Sequence, residues 1–206
     1  MKHPTKTFSS LAVALKELEP FIRNGQHLKT GRPFASLGGM RSREALANWL
    51  LCAAVNAGGG RKVTFTSDPV GGDGIICEVG TGETWGTEHV MVPSLCAGQT
   101  GDAESLILQA IAQKHSKGGA AYAVGKTLVV FLNAGAGLWF PNRVARQLPQ
   151  PPRFLAIWVV SIQGVELGEY VYSVTNLDVS EGDAPTVRVR ITRDFRAWSV
   201  TPIQGG

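Results

Sequence analysis

The order of helix and strand patterns along the chain is the feature that most constrains its fold. Apolar residues recur at helical spacing in residues 42–56 and 103–117, whereas short alternating or continuously apolar runs, typical of strands, lie between and after them. In chain order these patterns give a helix, three strands, a helix, a strand, a helix, a strand and a β-rich tail. This order predicts an α/β fold with a mixed central sheet flanked by helices.

Boundary signals place the other elements along the chain. A first helix begins behind Ser9 or Ser10, and we expect it to stop near Pro20, because proline interrupts the helical hydrogen-bond ladder. Residues 24–41 form a glycine-rich connector, and a further helix opens at Pro141. The expected strands are 62–67, a hairpin over 71–93, 126–133, 154–161, and two exposed-edge strands within 169–179 and 186–200.

The composition is typical of a soluble protein with one core. With 206 residues, 44% of them hydrophobic, the chain can bury one sizeable core but is short for two. Three cysteines without a CxxC pair are typical of buried thiols in a reducing compartment, and no apolar run approaches the roughly 18 residues of a membrane span. We therefore expect a cytoplasmic protein without a membrane partner. The formal charge of +4 leaves a polyanionic partner open.

We expect a single domain over residues 1–206, in three parts. An N-terminal helix and connector occupy residues 1–41, the α/β core occupies 42–162, and a β-rich C-terminal extension occupies 163–206. The sequence contains no internal repeat or low-complexity block that suggests a different division.

Acidic residues in an otherwise apolar hairpin form the first candidate site. The segment GGDGIICEVGTGETWGTEHVMVP, residues 71–93, carries Asp73 and Glu88. A two-residue turn at residues 81–82, or a four-residue loop about the same centre, would place Val90 opposite Asp73. The two carboxylates would then be diagonal neighbours on one face, roughly 7–8 Å apart, and could bind one divalent cation.

The helix over 103–117 carries a lysine where an apolar residue is expected. Lys114 falls near the middle of the apolar stripe, and Lys117 lies one turn further along the same side. Because an unpaired buried ammonium is costly, Lys114 needs a carboxylate or a substrate anion nearby. If this helix covers the face that bears Asp73 and Glu88, these carboxylates are its partners.

Taken together, these residues resemble the core of the PD-(D/E)xK nuclease superfamily, which has the restriction-endonuclease-like fold. The order of helices and strands is similar over residues 42–160. The similarity in site chemistry is limited to three side chains. Asp73, fifteen residues before Glu88, matches the first acid and Glu88 the second, and the segments IAQKHSKGG and KTLVVFLN follow as helix and strand. The resemblance implies a three-layer core with a mixed central sheet between helices, extended here by C-terminal β structure.

The resemblance also implies a metal centre. In the superfamily an Asp, an Asp or Glu and a Lys on adjacent strands bind magnesium and orient the attacking water. Here Asp73 and Glu88 would hold Mg²⁺ or Mn²⁺, together with a backbone carbonyl such as that of His89.

The motif lysine departs from the family pattern. Val90 stands at the position that this lysine usually occupies. Some members take the lysine from the following helix, where Lys114, or less well Lys117, would match. Both lysines are therefore candidate catalytic residues beside Asp73 and Glu88.

The predicted function is magnesium-dependent hydrolysis of phosphodiester bonds in DNA. The cation would generate the nucleophile, and the helical lysine would offset charge on the phosphate oxygens. DNA is the expected partner, with Arg143, Arg146 and Arg153 as candidate contacts. The alternative, favoured by Val90, is a non-catalytic protein of the same fold that binds nucleic acid or protein. The oligomeric state stays open, a homodimer included.

Each candidate residue also has a structural explanation. Asp73 precedes a glycine, as turn acids often do, an inward Glu88 could protect a sheet edge, and Lys114 could reach solvent from the end of its helix. Glu44 lies opposite the apolar stripe of the second helix, so we expect it on a solvated face rather than at the site.

Overall fold

The described part of the chain consists of helices around one sheet. A computed structural model describes residues 10–25, 38–92, 102–117, 120–132 and 138–203. Its helices are α1 (Leu11–Arg23), α2 (Ser42–Ala57), α3 (Ala103–Ser116), α4 (Ala120–Ala123) and α5 (Pro141–Gln147). Its strands are β1 (Val63–Thr66), β2 (Ile75–Glu78), β3 (Thr84–Val92), β4 (Thr127–Leu132), β5 (Ala156–Glu166), β6 (Glu169–Asn176), β7 (Thr186–Ile191) and β8 (Trp198–Ile203). Among these described residues, no helix has the length and apolar character needed to cross a membrane.

The eight strands form one mixed sheet whose spatial order follows chain order. β3 pairs with β4 in parallel, and β4 with β5, whereas every other neighbouring pair is antiparallel. Parallel neighbours need a crossover connection, and α3 and α4 lie in the connection from β3 to β4, as α5 does in that from β4 to β5. The predicted α/β layout with a mixed sheet is therefore confirmed.

Helices cover both faces of this sheet. Alternate residues of β4 point to opposite faces, and Val129 and Phe131 join the core beneath α1 and α2. Leu128, Val130 and Leu132 join the core beneath α3 and α5. Every residue of β4 is buried, as expected for a continuously apolar strand between two layers. The two cores hold β4 and its parallel neighbour β3 in fixed positions beside α2 and α3.

Helix α2 is buried on nearly all sides. Twelve of its sixteen residues are buried, since it packs against α1 and against β1 and β4 to β8. The predicted apolar stripe of Leu46, Trp49 and Leu50 is buried, but the expectation that Glu44 faces solvent was wrong, because only 8% of this residue is exposed. A helix enclosed in this way has no solvated face, so helical periodicity cannot identify one.

The first helix is longer than predicted. It begins after Ser10 and continues through Pro20 to Arg23. Leu18 and Ile22 are buried on either side of the proline, and their packing keeps the last turn helical despite the missing backbone donor. The other candidate cap, Ser9, and most of the connector over 24–41 lie outside the described residues.

The C-terminal extension contains three strands, so the prediction of two exposed-edge strands was wrong. β6 and β7 lie inside the sheet, and β8 forms its edge. A tight turn separates β7 from β8, with Phe195 at a φ of 55° and hydrogen bonds that join Thr192 to Phe195 and to Ala197. No glycine or proline marks this turn, which made the two strands resemble one alternating run.

Candidate functional site

The candidate site is a cavity of about 220 Å³ between α2, β3 and the C-terminal end of α3. α2 contributes its first turn, β3 its C-terminal half, and α3 its last turn. The charged and titratable residues that line the cavity are Arg41, Arg43, Glu44, Asp73, His89, Lys114 and Lys117. The cavity therefore contains most of the residues that the sequence singles out.

The hairpin that carries the two acids has a different register from the predicted one. Ile75 pairs with Gly86 and Cys77 with Thr84, so the connecting loop is residues 79–82. Gly82 ends this loop at a φ of 71°, a conformation that glycine adopts without strain. The predicted pairing of Val90 with Asp73 is consequently wrong by two residues. A two-residue shift preserves which face each side chain occupies, so Asp73 and Glu88 still converge.

Asp73 lies just before β2 and faces β3. Its Oδ2 accepts a hydrogen bond from the backbone N–H of His89 at 2.6 Å, and the Nδ1 of His89 lies 3.8 Å from the same oxygen. Burial opposes ionisation of this carboxyl, but its hydrogen bonds and charge interaction with His89, together with Lys114, lower its pKa to about 2. Asp73 is therefore an anion at neutral pH.

The backbone at Asp73 is held by a close contact with α2. The side-chain amide of Asn48, which is fully buried, donates to the carbonyl of Asp73 at 3.3 Å. Gly74 follows with a φ of 151°, and a Cβ at this position would lie 2.3 Å from the Asn48 amide nitrogen and 2.9 Å from Thr87 Oγ1. Only glycine allows α2 and β3 to approach the chain this closely, which places Asp73 at the cavity.

Glu88 is almost fully buried in β3 and is surrounded by donors. Its Oε1 accepts a hydrogen bond from Lys126 at 2.7 Å, and its Oε2 accepts one from Lys114 at 3.2 Å and a short one from the Tyr122 hydroxyl. Burial would raise the pKa of this carboxyl, but the contacts with Lys126, Tyr122 and Lys114 lower it below its usual value. Glu88 is thus a second anion directed toward Asp73.

Lys114 connects the two acids. Its Nζ lies 3.2 Å from Glu88 Oε2 and 3.8 Å from Asp73 Oδ2, and its side chain is only 13% exposed. This contact agrees with the expectation that a lysine in an apolar stripe has carboxylate partners. Lys117, by contrast, is exposed at the end of α3, with its Nζ 5.7 Å from the centroid of the Tyr122 ring. Of the two candidate lysines, Lys114 is the one that contacts the acids.

Sequence reasoning did not identify Lys126 and Tyr122, which complete the surroundings of Glu88. Lys126 directly precedes β4, and the parallel pairing of Glu88 with Leu128 brings it near that carboxylate. A signal for Lys126 was present, because this lysine stands at the start of the apolar strand predicted over 126–133, but its pairing with β3 was not predicted. Tyr122 belongs to the one-turn helix α4, and no spacing in the sequence indicates its contact with Glu88.

Glu44 lines the cavity but also has a local structural partner. It is the third residue of α2, and its Oε2 accepts a hydrogen bond from the backbone N–H of Arg41 at 3.0 Å. This bond is half of a capping box, which satisfies a free donor at the helix start. The position of Glu44 is thus explained by capping of α2.

The oxygen atoms at the site are compatible with a hard divalent cation as their ligand-bound metal. Asp73 provides carboxylate oxygens in the lining of the cavity, and Glu88, which is not part of the lining, provides its carboxylate beside Lys114. The N–H of His89 faces Asp73, and in an extended strand the N–H and C=O of one residue lie on the same edge, so the His89 carbonyl also faces Asp73. Oxygen ligands of this kind suit Mg²⁺, which retains several waters. Within the described residues, no group of three or more His, Cys, Asp or Glu side chains is arranged for a metal.

The cationic candidates Arg143 and Arg153 lie away from this cavity. Arg143 lies on α5, 3.8 Å from Glu104, with its guanidinium over the Phe140 ring. Arg153 donates a hydrogen bond to the backbone carbonyl of His115. Neither residue, nor Arg146 on α5, belongs to the lining of the cavity. Contacts between these three arginines and DNA remain a prediction.

Comparison of the chain with protein-family models, curated proteins and solved structures gave no match. The resemblance to the PD-(D/E)xK superfamily therefore depends on the order of elements and on the site residues themselves.

Proposed function

We propose that the protein is a magnesium-dependent nuclease that hydrolyses phosphodiester bonds in DNA. The observation that carries this proposal is the convergence of Asp73 and Glu88 on Lys114, at a cavity that Asp73 and Lys114 line. The first acid precedes β2, the second lies in β3, and the lysine belongs to the helix that follows. This order of elements and acids is the one for which the chain resembles PD-(D/E)xK nucleases.

Each residue has a role that its contacts support. Asp73 and Glu88, with the backbone carbonyl of His89, would hold the cation. When bound, a divalent cation of this kind lowers the pKa of a coordinated water and stabilises charge on a phosphate. Lys114 reaches both acids from the wall of the cavity, where its ammonium can offset negative charge that develops on phosphate oxygens. Lys126 holds Glu88 from the side of β4.

Two observations favour the alternative, a non-catalytic protein of the same architecture. Both carboxylate oxygens of Glu88 accept hydrogen bonds from donors of the chain itself, so its charge is compensated without a metal. Val90 also stands where the motif lysine is usual. Under this alternative, the cluster is a buried ion-pair network that specifies the packing of α3 on the sheet.

A cleavage assay separates the two proposals. Supercoiled plasmid DNA should be nicked with Mg²⁺ or Mn²⁺ present, and excess EDTA should stop the reaction. Asp73→Asn and Glu88→Gln should each abolish nicking, because they remove a metal ligand while they preserve shape. Glu78→Gln is the matched control, since Glu78 lies in the same hairpin and its carboxylate accepts a hydrogen bond from Thr81 outside the cavity. A folded wild type that cuts no DNA with any divalent cation would favour the non-catalytic alternative.

A further inference from the structure

We infer that Arg43 and Lys117 form a phosphate-binding subsite at the mouth of the cavity, which holds the DNA backbone next to the bond to be cut. This inference rests on the proposed function and names the part of the substrate that these two residues contact. It assigns Lys117 to substrate binding rather than to catalysis.

The four cations that line the cavity fall into two groups. Lys114 is paired with both acids, and the guanidinium of Arg41 lies 3.8 Å from Glu44. Arg43 and Lys117 form no ion pair with any residue that the structure describes. Arg43 donates to the sulfur of Met91 at 3.9 Å, and Lys117 lies over the Tyr122 ring. These contacts are with neutral groups, so neither positive charge is compensated.

The charge balance of the cavity directs an anion toward this pair. The two acids are matched in charge by the two lysines that contact them, Lys114 and Lys126. The uncompensated charge at the cavity is therefore positive and comes from Arg43 and Lys117. A concave site with one sign of excess charge attracts ligands of the opposite sign.

The positions of the two residues suit a chain of phosphates. Arg43 belongs to the first turn of α2, and Lys117 follows the last residue of α3, so they approach the cavity from different elements. Residues 89–91 of β3 line the cavity together with them. Arginine can bind a phosphate through two parallel hydrogen bonds, and lysine acts as a point charge. A polymer with successive phosphates can contact these two cations while one of its phosphodiester bonds lies next to Asp73 and Lys114, which line the same cavity.

The test is equilibrium binding of a short fluorescein-labelled DNA duplex, measured by anisotropy in EDTA so that no cleavage occurs. For wild type, log K should fall linearly with log salt between about 50 and 200 mM. Arg43→Gln and Lys117→Gln should each weaken binding several-fold at low salt and reduce the magnitude of the slope by about one, as loss of one phosphate contact predicts. Thermal unfolding verifies that each variant is folded.

Arg61→Gln is the matched control. Arg61 is an exposed arginine beyond the C-terminal end of α2, roughly 24 Å along that helix from its first turn. This variant should bind DNA with wild-type affinity and slope.

Several results would overturn the subsite. The first is wild-type affinity and slope in both glutamine variants. The second is a loss of affinity in Arg61→Gln equal to the loss in these two variants, and the third is no DNA binding by wild type at low salt. Failure of the subsite is distinguishable from failure of the nuclease proposal. Cleavage that both variants retain at wild-type KM would reject the subsite alone, whereas DNA binding through Arg43 and Lys117 without cleavage would reject the nuclease alone.

Discussion

At the scale of single residues, the site depends on two carboxylates that stay ionised although they are largely removed from water. Glu88 is 6% exposed, and such a group is stable as an anion only when donors surround it. Lys114, Lys126 and Tyr122 supply these donors. The same low pKa that stabilises the fold keeps both carboxylates available as ligands at neutral pH.

The pKa of Asp73 predicts how this residue contributes to stability. The pKa is 3.8 in an ordinary environment and about 2 in the folded protein. A lowered pKa means that the unfolded state binds more protons between these values, so the stabilising contribution is present above pH 3.8 and is lost as pH falls through about 2. Urea unfolding over this range should show a steeper loss of stability for wild type than for Asp73→Asn. Equal pH dependence in the two proteins would contradict the assigned shift.

Lys114 and the metal should compete for the same carboxylates. Lys114→Met should lower the rate of DNA cleavage by about 10²- to 10³-fold, as expected for loss of one electrostatic contact in the transition state. It should not weaken Mn²⁺ binding in calorimetry, because it removes a positive charge from beside both acids. If Lys114→Met cleaves at the wild-type rate and Lys117→Met does not cleave, the catalytic lysine is Lys117.

At the scale of elements, α2 fixes the position of Asp73 through Asn48 and Gly74. Gly74→Ala should destabilise the protein and weaken Mn²⁺ binding, because the new Cβ would lie 2.3 Å from the Asn48 amide and alanine rarely adopts a φ of 151°. Gly80→Ala in the hairpin loop is the control, since nothing lies within 4 Å of a Cβ there. Urea unfolding and calorimetry should separate the two variants. Equal stability and Mn²⁺ affinity in both would contradict a positioning role for Gly74.

Removal of Asn48 tests the same contact from the other side. Asn48→Ala should cost about 1–3 kcal/mol of unfolding free energy, the range for an unsatisfied buried polar partner. Mn²⁺ affinity should fall as well, because the Asp73 carbonyl loses its donor. Loss of stability with unchanged metal affinity would indicate that Asn48 is needed only for packing.

Hydrophobic patterning predicted the elements better than it predicted their contacts. The periodicity of α2 and α3 and the apolar run of β4 located these elements within a residue or two. The hairpin register was missed, because Gly82 ends a four-residue loop instead of occupying the centre of the turn. An error of two residues leaves each side chain on the same face of the sheet. The sequence therefore still predicted that Asp73 and Glu88 lie on one face. Tyr122 could not be placed, since tertiary packing alone brings α4 to Glu88.

In the molecule as a whole, the mixed sheet brings distant segments together beside one cavity. The parallel pairing of β3 with β4 places Lys126 beside Glu88, thirty-eight residues away in sequence. The eight strands curl around α2, whose first turn opens onto the same cavity. The formal charge of +4 predicts that DNA binding by wild type weakens as salt rises.

A crystal structure determined with Mn²⁺ would show whether Asp73 and Glu88 together hold a divalent cation. Anomalous scattering should show one Mn²⁺ in direct contact with both carboxylates and with the His89 carbonyl, with Lys114 moved away from the line between the two acids. Asp73→Asn crystals treated in the same way should lack this peak. Wild-type crystals at saturating Mn²⁺ that show no peak, with Lys114 still in contact with both carboxylates, would show that the two acids form an ion-pair network and not a metal site.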